Sequence, residues 1–333
     1  MAIASELAIA IVAPLGDGAS GEHRFIADLA RGLAARGHDV TVYMAGGPPI
    51  DGIELVSLAA SSDGDSFTRA YAAIRARGCD VISQHAFDAA AIAGAAPWPT
   101  VHTLHVPPLV PALVAQLARA PGALVAPSGA AGHAWRRALR RGVHVITHGI
   151  AGEPPLAAAP AGFALIAGQI SRERGTSVAL RAARASGLRV QITGEVSDPI
   201  YFEHEVAPLL GDAVLLGTLG RDDLWQVMAR ASVVVMPIAW DEPVGRLAAE
   251  AQLAGCPVAA YRRGALDEVV QDGVGGFLAA AGEFAQLVRA IGRCLELERD
   301  AIQWAARARF AVEPWVGAYE AVLAEQVALH AYR

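Results

Sequence analysis

Two glutamates eight residues apart, Glu242 and Glu250, are the strongest chemical signal in this sequence. Between them, Pro243 prevents a helix upstream and Gly245 lets the backbone come close to a ligand. The helix predicted to follow directs the N–H groups of its first turn at bound phosphate. Two carboxylates placed in this way accept hydrogen bonds from hydroxyl groups on either side of a diphosphate, as in a sugar nucleotide. The alternative is an ordinary helix with a favourable N-terminal acid and a solvated glutamate on its face.

A basic segment of the same half supplies the positive charge that such a ligand requires. Arg172 and Arg174 lie in the segment 168–175, directly after a strand predicted over 163–167. Ligands bind beyond the carboxyl ends of parallel strands, and a departing nucleotide diphosphate is stabilised by guanidinium groups. The alternative, that these are surface arginines, stays open for Arg172.

Strand-like and helix-like segments alternate along the chain, which is typical of βαβ units and parallel sheets. The predicted strands are 7–13, 39–43, 54–58, 80–83, 100–104, 123–126 and 143–147 in the first half, and 163–167, 188–193, 213–216, 232–236 and 257–260 in the second. The proline-rich stretch 149–162 is typical of a linker. The sequence therefore predicts an α/β fold in which two Rossmann-like domains, 1–155 and 156–315, face a central cleft. A C-terminal helix, 316–333, is predicted to return to the first domain.

The composition is that of a globular protein with two hydrophobic cores. Of the 333 residues, 54% are hydrophobic, and the formal net charge is −6, which does not favour nucleic-acid binding. The three cysteines form no C-x-x-C pair, so neither disulfides nor a zinc site is predicted and we expect a cytoplasmic location. No stretch reaches the roughly 20 apolar residues of a membrane span. The apolar run 7–13 lacks a preceding basic region and indicates a buried strand rather than a signal peptide.

Seven segments of the second half follow one another in the order seen in the family 4 retaining glycosyltransferases, and the chain resembles that family. They are 168–175 (similar to the family's G-R-x-x-x-x-K-G), Gln191-Ile-Thr-Gly194, Leu216-Gly-Thr-Leu219, the E-x7-E signature from Glu242 to Glu250, Gly255-Cys-Pro-Val258, Gly264-Ala-Leu-Asp-Glu268 and Asp272-Gly-Val-Gly-Gly276-Phe. The first half resembles the family more loosely, through a Gly-rich loop after the first strand, Gly37-His38-Asp-Val-Thr-Val, Thr103-Leu-His105 and Val125-Ala-Pro-Ser128. The resemblance spans nearly the whole chain and implies the GT-B fold.

The resemblance also implies roles for individual residues. Glu250 would hold the ribose and Glu242 the hydroxyls of the donor sugar, while His105 would approach that sugar from the first domain. His105, Arg174 and Glu242 form the predicted catalytic set, although a lone histidine at position 105 is also compatible with a structural hydrogen-bonding role. The predicted donor-binding set is Gly18, Gln169, Arg174, Gly194, Leu219, Glu242, Val244, Gly245, Arg246 and Glu250. Within it, the backbone at 244–246 would approach the sugar and phosphates and the main chain near Leu219 the base.

Three positions depart from the family pattern. Gln169 stands where the family usually has an arginine, Arg174 where it has a lysine, and Arg246 where it has an apolar residue. Arg174 keeps its charge, although arginine and lysine differ in geometry, whereas Gln169 removes one positive charge from the predicted diphosphate site. We hypothesise that Arg246 partly replaces it; the alternatives are an altered donor or lost activity.

Three further residues are candidates for the acceptor side, namely His23, His85 and Trp240. His23 is equally compatible with a solvated histidine at a helix end, and Trp240 with a residue that only packs its loop. No metal site is predicted: the D-x-D match Asp63-Gly64-Asp65 lies in a polar loop rather than at the end of a hydrophobic strand, and we regard it as a chance match.

The family chemistry implies a nucleotide-diphosphate sugar as donor, a small-molecule hydroxyl acceptor, no metal or other cofactor, and retention at the anomeric carbon. Because no convincing carboxylate nucleophile is present, attack from the face of the leaving group is favoured. Two alternatives on the same architecture stay open: a sugar-nucleotide epimerase or phosphorylase, and a binding protein that has lost turnover. An NAD-dependent enzyme is disfavoured because the first loop is not G-x-G-x-x-G. The sequence leaves the oligomeric state open.

Overall fold

The computed structural model describes residues 6–14, 21–58 and 65–332. Gly18 of the predicted donor-binding set lies outside the described residues, as do Asp63 and Gly64 of the D-x-D match.

The chain forms two compact units. The first comprises Met1–Ala151 together with Ala311–Arg333, and the second comprises Gly152–Phe310. The sequence places the corresponding boundaries at 155 and 315, four to five residues further along the chain in each case.

The first unit is built on a seven-stranded sheet whose strands all run parallel. In spatial order the strands are β3 (Glu54–Ser57), β2 (Asp39–Met44), β1 (Ala8–Val12), β4 (Val81–Gln84), β5 (Thr100–Thr103), β6 (Ala123–Ala126) and β7 (His144–Val145). Its helices are α1 (Gly21–Ala35), α2 (Asp65–Arg77), α3 (Ala89–Ala95), α4 (Pro111–Arg119), α5 (Gly129–Leu139) and α13 (Val312–Ala331). The central strands are apolar along nearly their whole length because helices cover both faces of a parallel sheet.

The C-terminal helix α13 packs in the core of the first unit, as the sequence predicts. Its buried side chains Trp315, Val316, Tyr319 and Leu323 join the cluster that contains β1 and α1. A polar network lies at the edge of this contact: Glu320 accepts hydrogen bonds from Arg36 Nε at 2.6 Å and from His38 Nε2 at 3.0 Å. The last helix is therefore part of the first unit.

The second unit contains a six-stranded parallel sheet. In spatial order its strands are β10 (Val214–Leu215), β9 (Arg189–Thr193), β8 (Phe163–Ala167), β11 (Val233–Met236), β12 (Val258–Tyr261) and β13 (Gly276–Ala279). Its helices are α6 (Thr176–Ala185), α7 (Pro199–Tyr201), α8 (Arg221–Arg230), α9 (Arg246–Leu253), α10 (Leu266–Val269), α11 (Phe284–Cys294) and α12 (Arg299–Arg309).

Sequence patterns miss two elements of this unit. The edge strand β13 follows a glycine-rich turn and is only four residues long, so it lacks a distinct period. Its Gly276 has φ 156° and packs so closely on β12 that a Cβ would overlap the Val258 carbonyl. The chain after α7 continues as a π-helical turn (Phe202–Val206) and a 3-10 turn (Ala207–Leu209), which no simple periodicity predicts.

Candidate functional site

Each sheet reverses its strand order at one point, between β1 and β4 in the first unit and between β8 and β11 in the second. Open parallel sheets bind ligands beyond the carboxyl ends of the strands at such a point. His85 directly follows β4, whereas Arg174 and Glu242 lie in the segments that follow β8 and β11. The topology therefore places these predicted residues at the expected edge of each sheet.

Glu242 is held by the turn that precedes α9. It is 7% exposed, and its Oε1 accepts a hydrogen bond from the Gly245 N–H at 3.2 Å. Its other oxygen, Oε2, accepts from Arg174 Nη1 at 3.0 Å. Its backbone is fixed as well, because its carbonyl accepts from Ala265 N–H and a Cβ at Gly264 would overlap the Glu242 main chain. The carboxylate is thus a fixed acceptor with one guanidinium beside it.

Glu250 lies in the second turn of α9 and is 1% exposed. Gly245 precedes the helix at φ 72°, a left-handed conformation that favours glycine, and no side chain of the described residues caps this helix. Arg246 Nε donates to Glu250 Oε1 at 2.9 Å, the i,i+4 spacing of a helix face. A second guanidinium approaches the same oxygen, with Arg221 Nε at 3.9 Å. Arg246, the unusual residue of the signature, is therefore a partner of the predicted ribose-binding carboxylate.

Arg174 and Arg172 differ in their surroundings, although they are two residues apart. Arg174 pairs with Glu242, and its Cζ lies 5.8 Å from the centre of the Trp240 ring. The half-buried Trp240 indole has no hydrogen-bond partner for Nε1 among the described residues. Arg172 is 63% exposed and pairs with Glu205 at 2.5 Å. Arg172 therefore forms a surface ion pair, the alternative considered for it.

The remaining donor-binding predictions lie in two connected turns. Gly194 has φ 141°, and a Cβ there would overlap the Gly168 carbonyl, so packing alone requires glycine. Its N–H donates to Gly217 O at 2.9 Å, which ties the end of β9 to the loop that carries the half-buried Leu219. The exposed side chain of Gln169 has no hydrogen-bond partner among the described residues. Val244 is half-buried in the turn before α9.

In the first unit, His85 and His105 form a buried pair at the carboxyl ends of β4 and β5. His85 Nδ1 lies 2.9 Å from His105 Nε2, and His85 Nε2 lies 2.9 Å from Ser83 Oγ. Burial lowers the pKa of His105 to about 4. Burial, followed by the charge of His105, lowers the pKa of His85 well below its ordinary value. Both imidazoles are therefore neutral at physiological pH.

An aromatic ring of α1 fixes the orientation of this pair. Phe25 lies 4.8 Å from the His105 ring, edge on, and 5.5 Å from the His85 ring. His23 belongs to the first turn of the same helix but is 7% exposed, so it is not a solvated helix-end histidine. Burial, followed by the charges of Arg31 and Arg24, lowers its pKa.

The structure thus brings Arg174, Glu242 and Trp240 together in one unit and His85 and His105 together in the other. Sequence reasoning misses two neighbours of these groups, Ser83 and Arg221. A polar run, Ser83-Gln84-His85, at the end of a buried strand is the signal that identifies Ser83. Arg221 opens α8 beside two acids and carries no such signal.

Among the described residues, no group of three or more histidine, cysteine, aspartate or glutamate side chains is arranged to hold a metal ion. The three cysteines, Cys79, Cys256 and Cys294, are free thiols. Within the same part of the chain, no helix has both the length and the apolar character needed to cross a membrane.

Each unit matches a known family model. The model described as glycosyl transferases group 1 matches residues 156–310, and the model described as glycosyltransferase family 4 matches residues 19–151. The two matches account for most of the second and the first unit, respectively.

Curated proteins that share sequence with part of the chain include two glycosyltransferases of different acceptor names. A 2-deoxystreptamine glucosyltransferase of Streptomyces kanamyceticus is 41% identical over 83 residues, which are 25% of this chain and 21% of that protein. A D-inositol 3-phosphate glycosyltransferase of Acidothermus cellulolyticus is 33% identical over 186 residues, 49% of this chain and 41% of that protein. The aligned regions thus span less than half of either relative.

A solved structure is similar over almost the full length. The Anabaena protein HepE, in complex with UDP, has a TM-score of 0.76 to this chain, covers 96% of this chain and 100% of its own, and is 20% identical. At that identity the likeness concerns the fold. It confirms the α/β GT-B fold with two Rossmann-like domains that the sequence predicts.

Proposed function

The chain belongs to glycosyltransferase family 4, and on that premise we propose that it moves a sugar from a nucleotide-diphosphate sugar to a hydroxyl group of a small molecule. We further propose that transfer retains the anomeric configuration and needs no metal ion. The observation that carries this proposal is the pair of buried carboxylates around the start of α9, Glu242 and Glu250, each hydrogen-bonded to an arginine.

The donor half of the proposal follows from what those groups bind. The carboxylates of Glu242 and Glu250 are acceptors for sugar hydroxyls, and charge-assisted hydrogen bonds of this kind are about twice as strong as neutral ones. Arg174 uses Nη1 for Glu242, which leaves further N–H groups of its five for phosphate oxygens. The related HepE structure contains UDP, and we propose a nucleoside diphosphate at the corresponding edge of the second sheet.

For the acceptor, we propose a polyhydroxylated six-membered ring. D-inositol 3-phosphate and 2-deoxystreptamine, the acceptors in the names of the two curated relatives, are both substituted cyclohexanes with several hydroxyl groups. His23 and Trp240 stay our candidates for the acceptor side. His85 is withdrawn from that set because both of its ring nitrogens are bonded, to Ser83 and to His105. A screen of inositol, its phosphates and 2-deoxystreptamine as acceptors tests this class directly.

The proposed mechanism relies on positioning and on charge. The acceptor hydroxyl attacks the anomeric carbon from the face that the diphosphate leaves, while the departing phosphate oxygen takes the acceptor proton. The transition state carries oxocarbenium character on the sugar and growing negative charge on the diphosphate. Arg174 and the N-terminus of α9 stabilise that charge, which is the work that a metal ion does in other enzymes; activity should therefore survive EDTA.

Arg246 is the residue on which the altered charge pattern depends. Because Gln169 replaces a basic residue of the family pattern, we propose that Arg246, which bonds to Glu250 through Nε, contributes positive charge to the diphosphate. Arg246→Leu should then raise the donor KM by about tenfold, the loss of one charge-assisted hydrogen bond. Adding Gln169→Arg to that variant should recover most of the loss, whereas an Arg246→Leu enzyme with unchanged donor affinity and turnover refutes the role.

The central test combines donor binding with product analysis. A thermal-shift screen of nucleoside diphosphates and their sugars should identify a stabilising donor, because a ligand that binds only the folded state raises its stability. NMR of the product should then show the donor's anomeric configuration. An inverted product overturns the retaining mechanism. Donor epimerised without acceptor, or cleaved by phosphate, identifies the alternative enzymes, and donor bound without any turnover identifies a binding protein.

A further inference from the structure

Three polar side chains form a continuous hydrogen-bonded chain inside the first unit. Ser83, His85 and His105 are 0%, 1% and 5% exposed. Ser83 Oγ lies 2.9 Å from His85 Nε2, and His85 Nδ1 lies 2.9 Å from His105 Nε2. The second ring nitrogen of His105, Nδ1, has no hydrogen-bond partner among the described residues. This series of hydrogen bonds therefore ends inside the unit at Ser83, and at its other end His105 Nδ1 is available to a ligand.

The two imidazoles constrain each other. A neutral imidazole carries one N–H and one lone pair, so one of the two facing nitrogens must donate and the other must accept. If His85 donates from Nδ1, its Nε2 accepts from Ser83, and His105 holds its proton on Nδ1. If His105 donates from Nε2, the whole pattern reverses, and His105 Nδ1 is a bare lone pair.

The Ser83 hydroxyl decides between these two arrangements. Its only hydrogen-bond partner among the described residues is His85 Nε2. If His85 donated to Ser83, the hydroxyl proton would be buried with no acceptor, and a buried unsatisfied donor is costly. If Ser83 donates to His85, every facing proton and lone pair in the chain is matched. The arrangement in which Ser83 and then His85 donate therefore holds, and it places the His105 proton on Nδ1.

We infer that Ser83 and His85 are positioning residues that hold His105 as the neutral Nδ1–H tautomer, so that His105 offers a hydrogen-bond donor rather than a base. The inference rests on the proposed function only where it names the acceptor of this N–H group. That acceptor is a hydroxyl or ring oxygen of the sugar carried by the nucleotide. Phe25, which packs edge-on against the His105 ring at 4.8 Å, fixes the plane in which the N–H points. His105 therefore recognises the sugar and does not remove a proton from the acceptor.

The direct test is the tautomer of His105, which needs no substrate. The protein is labelled with 15N-histidine, the His105 signals are assigned by comparison with His105→Asn, and the ring nitrogens are read by long-range 1H–15N correlation. We expect the Nδ1–H form in the wild type and a shift toward the Nε2–H form in Ser83→Ala. A wild-type His105 in the Nε2–H form, or a tautomer that Ser83→Ala leaves unchanged, overturns the inference.

A second variant guards against a Ser83→Ala protein that fails to fold. His85→Asn keeps an amide near the position of Nδ1 but breaks the link to Ser83, so His105 should again lose its single tautomer. The matched control is His102→Asn on strand β5, because His102 is also buried but, within the described part of the chain, bonds only to the Pro121 carbonyl. That control should leave the His105 tautomer as in the wild type.

Kinetics separate the positioning role from a merely structural one. Ser83→Ala should lower kcat on the order of fivefold with a donor KM within about twofold of the wild type, since one hydrogen bond to the sugar is weakened in the transition state. Ser83→Thr keeps the hydroxyl and should restore both the tautomer and kcat. A wild-type protein without transfer activity refutes the proposed function but leaves the tautomer result standing, so the two failures are distinguishable.

Discussion

The two units hold their candidate residues in opposite electrostatic ways. In the second unit, Glu242 and Glu250 are ionic acceptors, each bonded to an arginine. In the first, His85 and His105 form a neutral hydrogen-bonded chain whose pKa values burial holds low. The arginines of the second unit supply fixed positive charge of the kind that a diphosphate needs, whereas a neutral imidazole pair costs less to bury than an ion pair. The candidate residues of the two units should therefore respond differently to pH and to the loss of a charge.

The difference makes a prediction about acid stability, and this is the largest effect that we expect. His102 and His105 each have a pKa of about 4 in the folded protein because of burial, against about 6.5 in an unfolded chain. The unfolded state therefore binds more protons between those values, and stability that is full above pH 6.5 is lost as the pH falls toward 4. The loss amounts to about 3 kcal/mol per histidine, and His85 adds to it.

The second unit supplies the internal control for this prediction. Its one histidine, His204, is exposed, so that unit has no buried histidine whose protonation would lower its stability in acid. Hydrogen exchange, corrected for intrinsic rates, should show protection falling first in β4 and β5 when the pH is lowered from 7.5 to 5. Equal loss of protection in both units would contradict the prediction that the buried histidines make the first unit more sensitive to acid.

The ionic side of the comparison is tested by Glu250→Gln. The amide keeps the shape of the side chain but removes the charge that would strengthen the proposed hydrogen bonds to ribose. We expect kcat/KM for the donor to fall by roughly 100-fold, equivalent to about 3 kcal/mol. Glu296→Gln, an exposed acid of the same unit, should retain full activity. A loss below about threefold would mean that Glu250 serves only its ion pair with Arg246.

How far the sequence predicts the site depends on the sequence separation of its parts. The spacing from Glu242 to Glu250 is local, so the helix start and both acids can be predicted from pattern. The Arg246–Glu250 contact is an i,i+4 pair and is implied by the same helix. Arg174 and Glu242 are 68 residues apart and His85 and His105 are 20 apart, and their direct bonds depend on which strands become neighbours.

The fold shows the same limit. Long apolar runs and amphipathic helices predict the two parallel sheets and the return of the C-terminal helix. The edge strand β13 is short and packs closely around Gly276, and neither it nor the π-helical turn after α7 has a distinct period. Gly194 is predicted as a ligand contact, yet overlap with the Gly168 carbonyl is sufficient reason for glycine there. Pattern alone does not separate those two causes.

A smaller effect is expected from Arg174→Lys, which restores the residue type usual in the resembled family. Lysine keeps the charge beside Glu242 and Trp240 but loses the planar fork of N–H groups. If Arg174 is the positive partner of the diphosphate, as proposed, kcat should fall by only about threefold in this variant, and Arg174→Gln, which removes the charge, should lower kcat roughly 100-fold. If both variants lose activity equally, geometry rather than charge is what Arg174 contributes.

The smallest effect concerns Arg172, the arginine that the structure assigns to the surface. Its partner Glu205 is 39% exposed and Arg172 itself 63%, so water and salt screen the pair and its worth is about 0–1 kcal/mol. Glu205→Gln should accordingly change the urea midpoint little and leave donor KM unchanged. Because Arg172 and Arg174 lie on one turn, Glu205→Gln is a matched control for variants of the buried pair Arg174–Glu242. A donor KM raised tenfold by Glu205→Gln would extend the charged site beyond the buried pairs and remove the distinction between functional and surface arginines on which the comparison rests.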